Sequence, residues 1–314
     1  MEIPVSSPSS EERAWGALAN ASLIFFMFGF IVPAILWSTQ RVKSGYVAFQ
    51  ALQALGFQVI SYTLGLVLSL LLSLVHLVYI LNETDLSREF NGAAGEPLAP
   101  LMSTFVIWGI MLAGILVYMG TGIIGAGLNL AGKEFRVPFL GKRLARYLEY
   151  RSGSDIEPLN EEREDRWVAA MSHAAVVINL WGMVLPLIVW FMERKRSALL
   201  RFQEFQALLF QVITAALLFA ALAVYMFSLG LVFAGTLIVS GSSDSGSLLI
   251  ILILSMVILL IFAAIVLAVP LLHILGQWAA LRILQGHDYQ YPLLGRRIRS
   301  WLDRRVEKQV RRMS

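Results

Sequence analysis

Phe49-Gln50-Ala51-Leu52-Gln53-Ala54-Leu55-Gly56-Phe57-Gln58-Val59-Ile60 has a second copy in this chain. At an offset of 153 stands Phe202-Gln203-Glu204-Phe205-Gln206-Ala207-Leu208-Leu209-Phe210-Gln211-Val212-Ile213. Each copy puts glutamines at the mouth of a long apolar run, and each follows a short basic turn. Working outward, Gly29, Pro33, Trp37, Arg41 and Ser44 align without gaps on Gly182, Pro186, Trp190, Arg194 and Ser197. Chance apolar similarity matches leucine to leucine. It does not align Gly, Pro, Trp and three Gln at one offset, so the chain holds two copies of one module.

The module belongs to a membrane. Of 314 residues, 58% are hydrophobic and 15% charged, whereas soluble domains carry roughly 25% charged residues. The apolar blocks exceed the roughly 18 residues that span a bilayer core. The absence of cysteine excludes disulfides, thiolate metal sites and cysteine nucleophiles. The first residues lack a basic region followed by a short apolar core, so no cleaved signal peptide is expected.

In chain order, residues 1–10 read as a disordered tail and 11–150 as the first membrane repeat. A polar linker is expected at 151–163, the second repeat at 164–306 and a basic tail at 307–314. Each repeat begins with an apolar segment interrupted by Gly29 and Pro33, or by Gly182 and Pro186. Two long helices follow. Each repeat closes on a glycine-to-proline motif, Gly132 to Pro138 and Gly286 to Pro292.

Charge gives the topology. Lys and Arg mark cytoplasmic ends, and they gather at 41–43, 133–146, 194–201 and 282–312. Residues 82–99 and 240–246 are poor in them. If the first segment of each repeat enters and returns as a re-entrant hairpin, every basic stretch is cytoplasmic, and so are both termini. Glycine and proline are the expected breakers, tolerated at membrane depth where protein covers the freed backbone groups. The alternative is a kinked span that crosses, which would make the repeats inverted, as in many transporters.

Several motifs bear on function. Gln50, Gln53 and Gln58, with Gln203, Glu204, Gln206 and Gln211, form either a polar crevice for a substrate or partner, or a set of interhelical hydrogen bonds. Glu204 can pair with Arg201 at the interface. Gly120-Thr121-Gly122-Ile123-Ile124-Gly125 spells a dinucleotide fingerprint, but inside an apolar helix it reads as close helix packing. His76, His173, His273 and His287 lack ligand spacing, and no cofactor is expected. His173 stands where the first copy has Asn20, which suggests a polar cap. Residues 139–151 and 293–306 are amphipathic, with Lys142, Arg143, Arg296 and Arg297 opposite apolar stripes that include Trp301. Such helices lie in the interface on anionic lipid headgroups. The same context disfavours nucleic acid.

The paired elements resemble a family of small membrane proteins known as domain of unknown function 4870. The likeness is carried by His173 and its apolar run, by Gly182 with Pro186-Leu187-Ile188-Val189-Trp190, by Arg201 to Ala207 and by the motif ending at Pro292. In the first copy it runs through Pro33 to Trp37, Phe49 to Ala54 and Gly132 to Pro138. That family is distantly similar to a subunit of the chloroplast inner-envelope import translocon. Its members usually hold one copy, often with histidine where Asn20 and Gln203 stand here. The resemblance implies a membrane protein and nothing sharper.

The expected fold is therefore an all-α polytopic membrane protein of two tandem repeats, each a hairpin plus two long transmembrane helices. The expected function is a non-catalytic module of the plasma membrane that associates with lipid or partner membrane proteins. A small-solute transporter or channel is the alternative.

Overall fold

The computed structural model describes residues 8–83, 98–151, 159–241, 245–292 and 294–313. Most of the expected tail, most of the linker and much of the two loops poor in basic residues lie outside these ranges. All regular structure among the described residues is helical. Helix α1 (Ser10–Ala21) leads through a 3₁₀ stretch (Ser22–Phe28) to α2 (Ile31–Gln40). The long helices α3 (Gly45–Glu83) and α4 (Leu98–Leu130) follow, then α5 (Leu140–Tyr147). The second copy repeats the order: α6 (Glu161–Ala174), 3₁₀ (Ala175–Met183), α7 (Val184–Glu193), α8 (Ala198–Gly241), α9 (Ser245–Leu284) and α10 (Leu294–Met313). The chain divides into two compact units, Met1–Met171 and Ser172–Ser314, so the boundary falls inside α6.

Local chemistry sets these limits. Ser9 and Glu12 form a reciprocal capping box that starts α1, so the helix begins within the expected tail. Gly132 (φ 75°) and Gly286 (φ 90°) take the left-handed conformation that ends α4 and α9. Lys133 N–H and His287 N–H then donate to the carbonyls of Leu128 and Arg282, closing both helices in the same way. The C-terminal residues 307–313 continue α10 rather than forming a separate tail.

Five stretches are long and apolar enough to cross a membrane: Gly45–Asn82, Leu101–Leu130, Glu161–Glu193, Ala198–Gly235 and Leu249–Leu284. The protein is a multi-pass membrane protein. At 39 residues, α3 is about 58 Å long, well beyond a bilayer core of about 30 Å. One end of it packs: residues 45–56 are buried. The other end presents leucine and valine outward, including Leu64, Leu70, Leu74 and Leu81.

In the first unit α1 and α2 fold back on one another and pack on α4 and α3 respectively. Just past α2, Ser44 Oγ donates to Glu12 Oε1 at 2.6 Å, so the two ends of this hairpin lie at one level. The break itself lies at Phe26 (φ 45°, ψ −118°), and its repeat equivalent Asn179 has φ 53° and ψ −127°. This corrects the expectation that Gly29, Pro33, Gly182 and Pro186 break the chain. Gly29 and Gly182 keep right-handed helical backbone and serve close approach instead. A Cβ there would overlap the carbonyl oxygens of Ser22 and Ala175. Pro33 and Pro186 sit in the first turns of α2 and α7, where a missing N–H costs no helical bond.

Candidate functional site

The repeated glutamines hold the loop that follows the second long helix of each unit. Gln50 and Gln53 Nε2 both donate to Phe135 O, at 3.0 and 3.2 Å, and Gln53 Oε1 accepts Val137 N–H at 3.0 Å. In the second unit, Gln203 and Gln206 Nε2 donate to Tyr289 O at 3.1 and 3.2 Å, and Gln206 Oε1 accepts Tyr291 N–H at 3.1 Å. Each clamp thus satisfies a backbone donor and acceptor that the turn after Gly132 or Gly286 leaves open. Gly141 and Gly295 complete it. A Cβ at either would lie 2.5 or 2.7 Å from the clamping Oε1.

All seven polar side chains expected to line a crevice, Gln50, Gln53, Gln58, Gln203, Glu204, Gln206 and Gln211, are buried to within 1% of full. Around Gln50, Gln53, Gln203 and Gln206 the space is filled by the loops they bind. Glu204 lies inside with them rather than at the interface.

The hairpin is tied to the same clamp. Asn20 Nδ2 and Asn129 Nδ2 donate to Gln50 Oε1 at 3.1 and 3.2 Å. His173 takes the place of Asn20. Because Gln203 uses its Nε2 on Tyr289 O, its Oε1 is the acceptor, so His173 donates from Nε2 at 3.1 Å. His173 Nδ1 then accepts from Tyr291 OH at 2.9 Å. Burial, reinforced by Tyr289, pushes the Tyr291 phenol well above its usual range, so it keeps that proton. His173 is thus a neutral hydrogen-bonding cap. Farther along, Gln58 Nε2 donates to Ser22 Oγ at 3.3 Å and Gln211 Nε2 to Ser172 O at 2.7 Å, each holding the inner end of a hairpin.

A charged cluster was missed by the sequence reading. Arg41, expected in an exposed basic turn, is buried. It pairs with Asp165 at 2.8 Å, Glu164 at 3.1 Å and Glu161 at 3.7 Å, and its guanidinium lies 4.4 Å over Trp37. Trp167 Nε1, two residues past Asp165, donates to Leu52 O at 3.1 Å. Its ring lies against Gly56, where any Cβ would overlap it. The signal was present, since Glu11-Glu12-Arg13 and Glu164-Asp165-Arg166 are repeat equivalents.

The clamped loops carry the basic helices. In α5, Leu144 is buried while Lys142 and Arg143 are exposed. Phe139, just before it, is 90% exposed with φ 62°. In α10, Ile298 is buried, Arg296 and Arg297 are exposed, and Trp301 stacks on Phe205 at 5.4 Å. Gly122 and Gly125 of the fingerprint-like run meet Asn20, Leu23 and Phe135, as helix packing requires. Among the described residues no group of three or more His, Asp or Glu is arranged to hold a metal ion.

A family model described as the magnetosome magnetite crystal formation protein family, MamF/MmsF, matches residues 11–144 and again 164–298. The chain belongs to that family. Its two matches coincide with the two repeats and cover the hairpins, long helices and clamps of both. This corrects the resemblance to domain of unknown function 4870. The Pro, Trp and Gln positions that carried that resemblance all lie inside the two matched segments. It also replaces an uncharacterised family by a characterised one, and the family points to the magnetosome membrane rather than the plasma membrane. No curated protein and no solved structure matches the chain.

Proposed function

We propose that this protein is a non-catalytic scaffold of the magnetosome membrane that supports magnetite crystal formation by displaying two fixed basic helices at one membrane face. The observation that carries this reading is the duplicated glutamine clamp. In each unit it ties the loop before a basic helix to the buried end of a long span, and so holds that helix against the membrane-embedded core. The first hairpin re-enters rather than crosses, a reading that the Ser44–Glu12 bond supports, and the second follows it by repeat equivalence; by the positive-inside rule all basic stretches then share the cytoplasmic side with both termini. Lys142, Arg143, Arg296 and Arg297 then meet anionic headgroups, at roughly 1 kcal/mol for each basic residue, while Phe139 and Trp301 add apolar anchoring.

Closure of the glutamine cluster weighs against transport, since a solute path there would need an open polar cavity. Replacing Lys142, Arg143, Arg296 and Arg297 together with Gln tests the proposal. The variant should remain membrane-inserted, float less with anionic vesicles and produce altered crystals in cells. Unchanged crystals would refute the role of the basic helices. Solute uptake in reconstituted vesicles that vanishes in Gln206→Leu would favour a transporter.

A further inference from the structure

We propose that copies of this chain associate head to tail in the membrane plane, the outer face of α1 in one copy seating on the α7–α8 face of the next. The argument rests on a contact seen inside the first unit. There Glu164, Trp167 and Met171, spaced as one helix face, are all buried. Glu164 reaches Arg41, and Trp167 covers Leu52 and Gly56. The repeat supplies the same two surfaces a second time. Equivalents of the seated residues are Glu11, Ala14 and Leu18 on α1, and all three are exposed, Leu18 by 41%. Equivalents of the receiving residues are Arg194, Phe205 and Leu209, and all three are only half-buried, even with Trp190 and Trp301 packed on the Phe205 ring.

The second pair of surfaces is complementary in charge and in volume. Arg194 lies 4.4 Å over Trp190, as Arg41 lies over Trp37, and also 4.9 Å over Phe191. Among the described residues, the Glu11 carboxylate accepts the Trp15 indole N–H at 3.2 Å. Steric matching is reciprocal. In the formed contact a large Trp167 meets Gly56; in the open pair a small Ala14 would meet Leu209. Swaps that keep total volume are the ones a packed contact tolerates, and here the exchange falls on both partners at once. A face that binds a different face of an identical chain is heterologous, so it propagates into rings or arrays rather than stopping at a pair.

The natural absence of cysteine makes the test direct. Membranes holding a mixture of Ala14→Cys chains and differently tagged Leu209→Cys chains are oxidised, and the mixed disulfide is sought. A cross-linked heterodimer is expected, and none when Leu209→Cys is replaced by Leu74→Cys on the outward face of α3. Adding Glu11→Arg to the Ala14→Cys chain should abolish the cross-link, and Arg194→Glu in the partner should restore it. The proposal is overturned if both cysteine pairings cross-link equally or not at all. It is also overturned if a chain carrying both cysteines closes only within itself.

Discussion

Gln206 Oε1 accepts the backbone N–H of Tyr291 at 3.1 Å, bridging 85 positions of chain, while its Nε2 holds Tyr289 O at 3.2 Å. Leucine at 206 keeps the volume and removes both bonds. A buried donor or acceptor left unpaired costs about 1–3 kcal/mol. Gln206→Leu, and equally Gln53→Leu, should therefore lower the thermal midpoint in detergent by an amount corresponding to a few kcal/mol. In Gln206→Leu, limited proteolysis should cut α10 faster than in the natural chain.

The two matched arginines should behave differently. Removing Arg41 strands Glu164 and Asp165 in the interior, a loss of about 3–5 kcal/mol. Arg194, half-buried and stacked on Trp190, should cost only about 0.5–1 kcal/mol on truncation. Denaturation of Arg41→Ala and Arg194→Ala side by side checks this asymmetry.

Gly56 is the position where the repeat equivalence breaks for a packing reason. Its counterpart is Leu209, and Gly56→Leu should destabilise the first unit by about 1–3 kcal/mol through overlap with Trp167. Trp167→Ala in the same chain should recover part of that loss. Calorimetry on the single and double variants reads the coupling.

Glu12 gives a pH dependence. Burial opposes its charge, but hydrogen bonds from Ser44 and from the Ser9 backbone and side chain outweigh it and hold the carboxyl below its ordinary 4.5. A carboxyl lowered on folding adds stability above its unfolded value, and that stability is lost as pH falls through the lower folded value. The gap in thermal midpoint between the natural chain and Ser44→Ala should be full near neutrality and narrow on acidification below about pH 4.5, down to the pH-independent part that comes from the Ser44 Oγ cap on Val47 N–H.

Much of this architecture was legible beforehand. Gly, Pro, Trp and Gln at one offset disclosed the duplication, because those types are not interchangeable with generic apolar residues. The glycine-to-proline motifs gave the helix ends. The hairpin breaks were hidden, since Phe26 and Asn179 take a positive φ without a glycine to announce it. The partners of Gln53 and Gln206 were hidden too, being backbone groups more than eighty positions away. Arg41 looked like a surface charge because its carboxylates lie more than 110 residues downstream. Local pattern reports which residues can be polar inside a membrane protein, but only the fold says what they hold.

The central claim is that both hairpins return to the side they left, and labelling the two basic turns tests it most directly. Ser44 and Ser197 are buried, so the probes belong at Val42, 65% exposed, and at its exposed repeat equivalent Lys195. Val42→Cys and Lys195→Cys are introduced singly, and sealed vesicles holding the chain in one orientation are treated with a membrane-impermeant thiol reagent. Two re-entrant hairpins predict that both positions react together, or that both stay silent until detergent is added. Reaction at one position and protection at the other would mean that each repeat crosses three times, and would contradict the account.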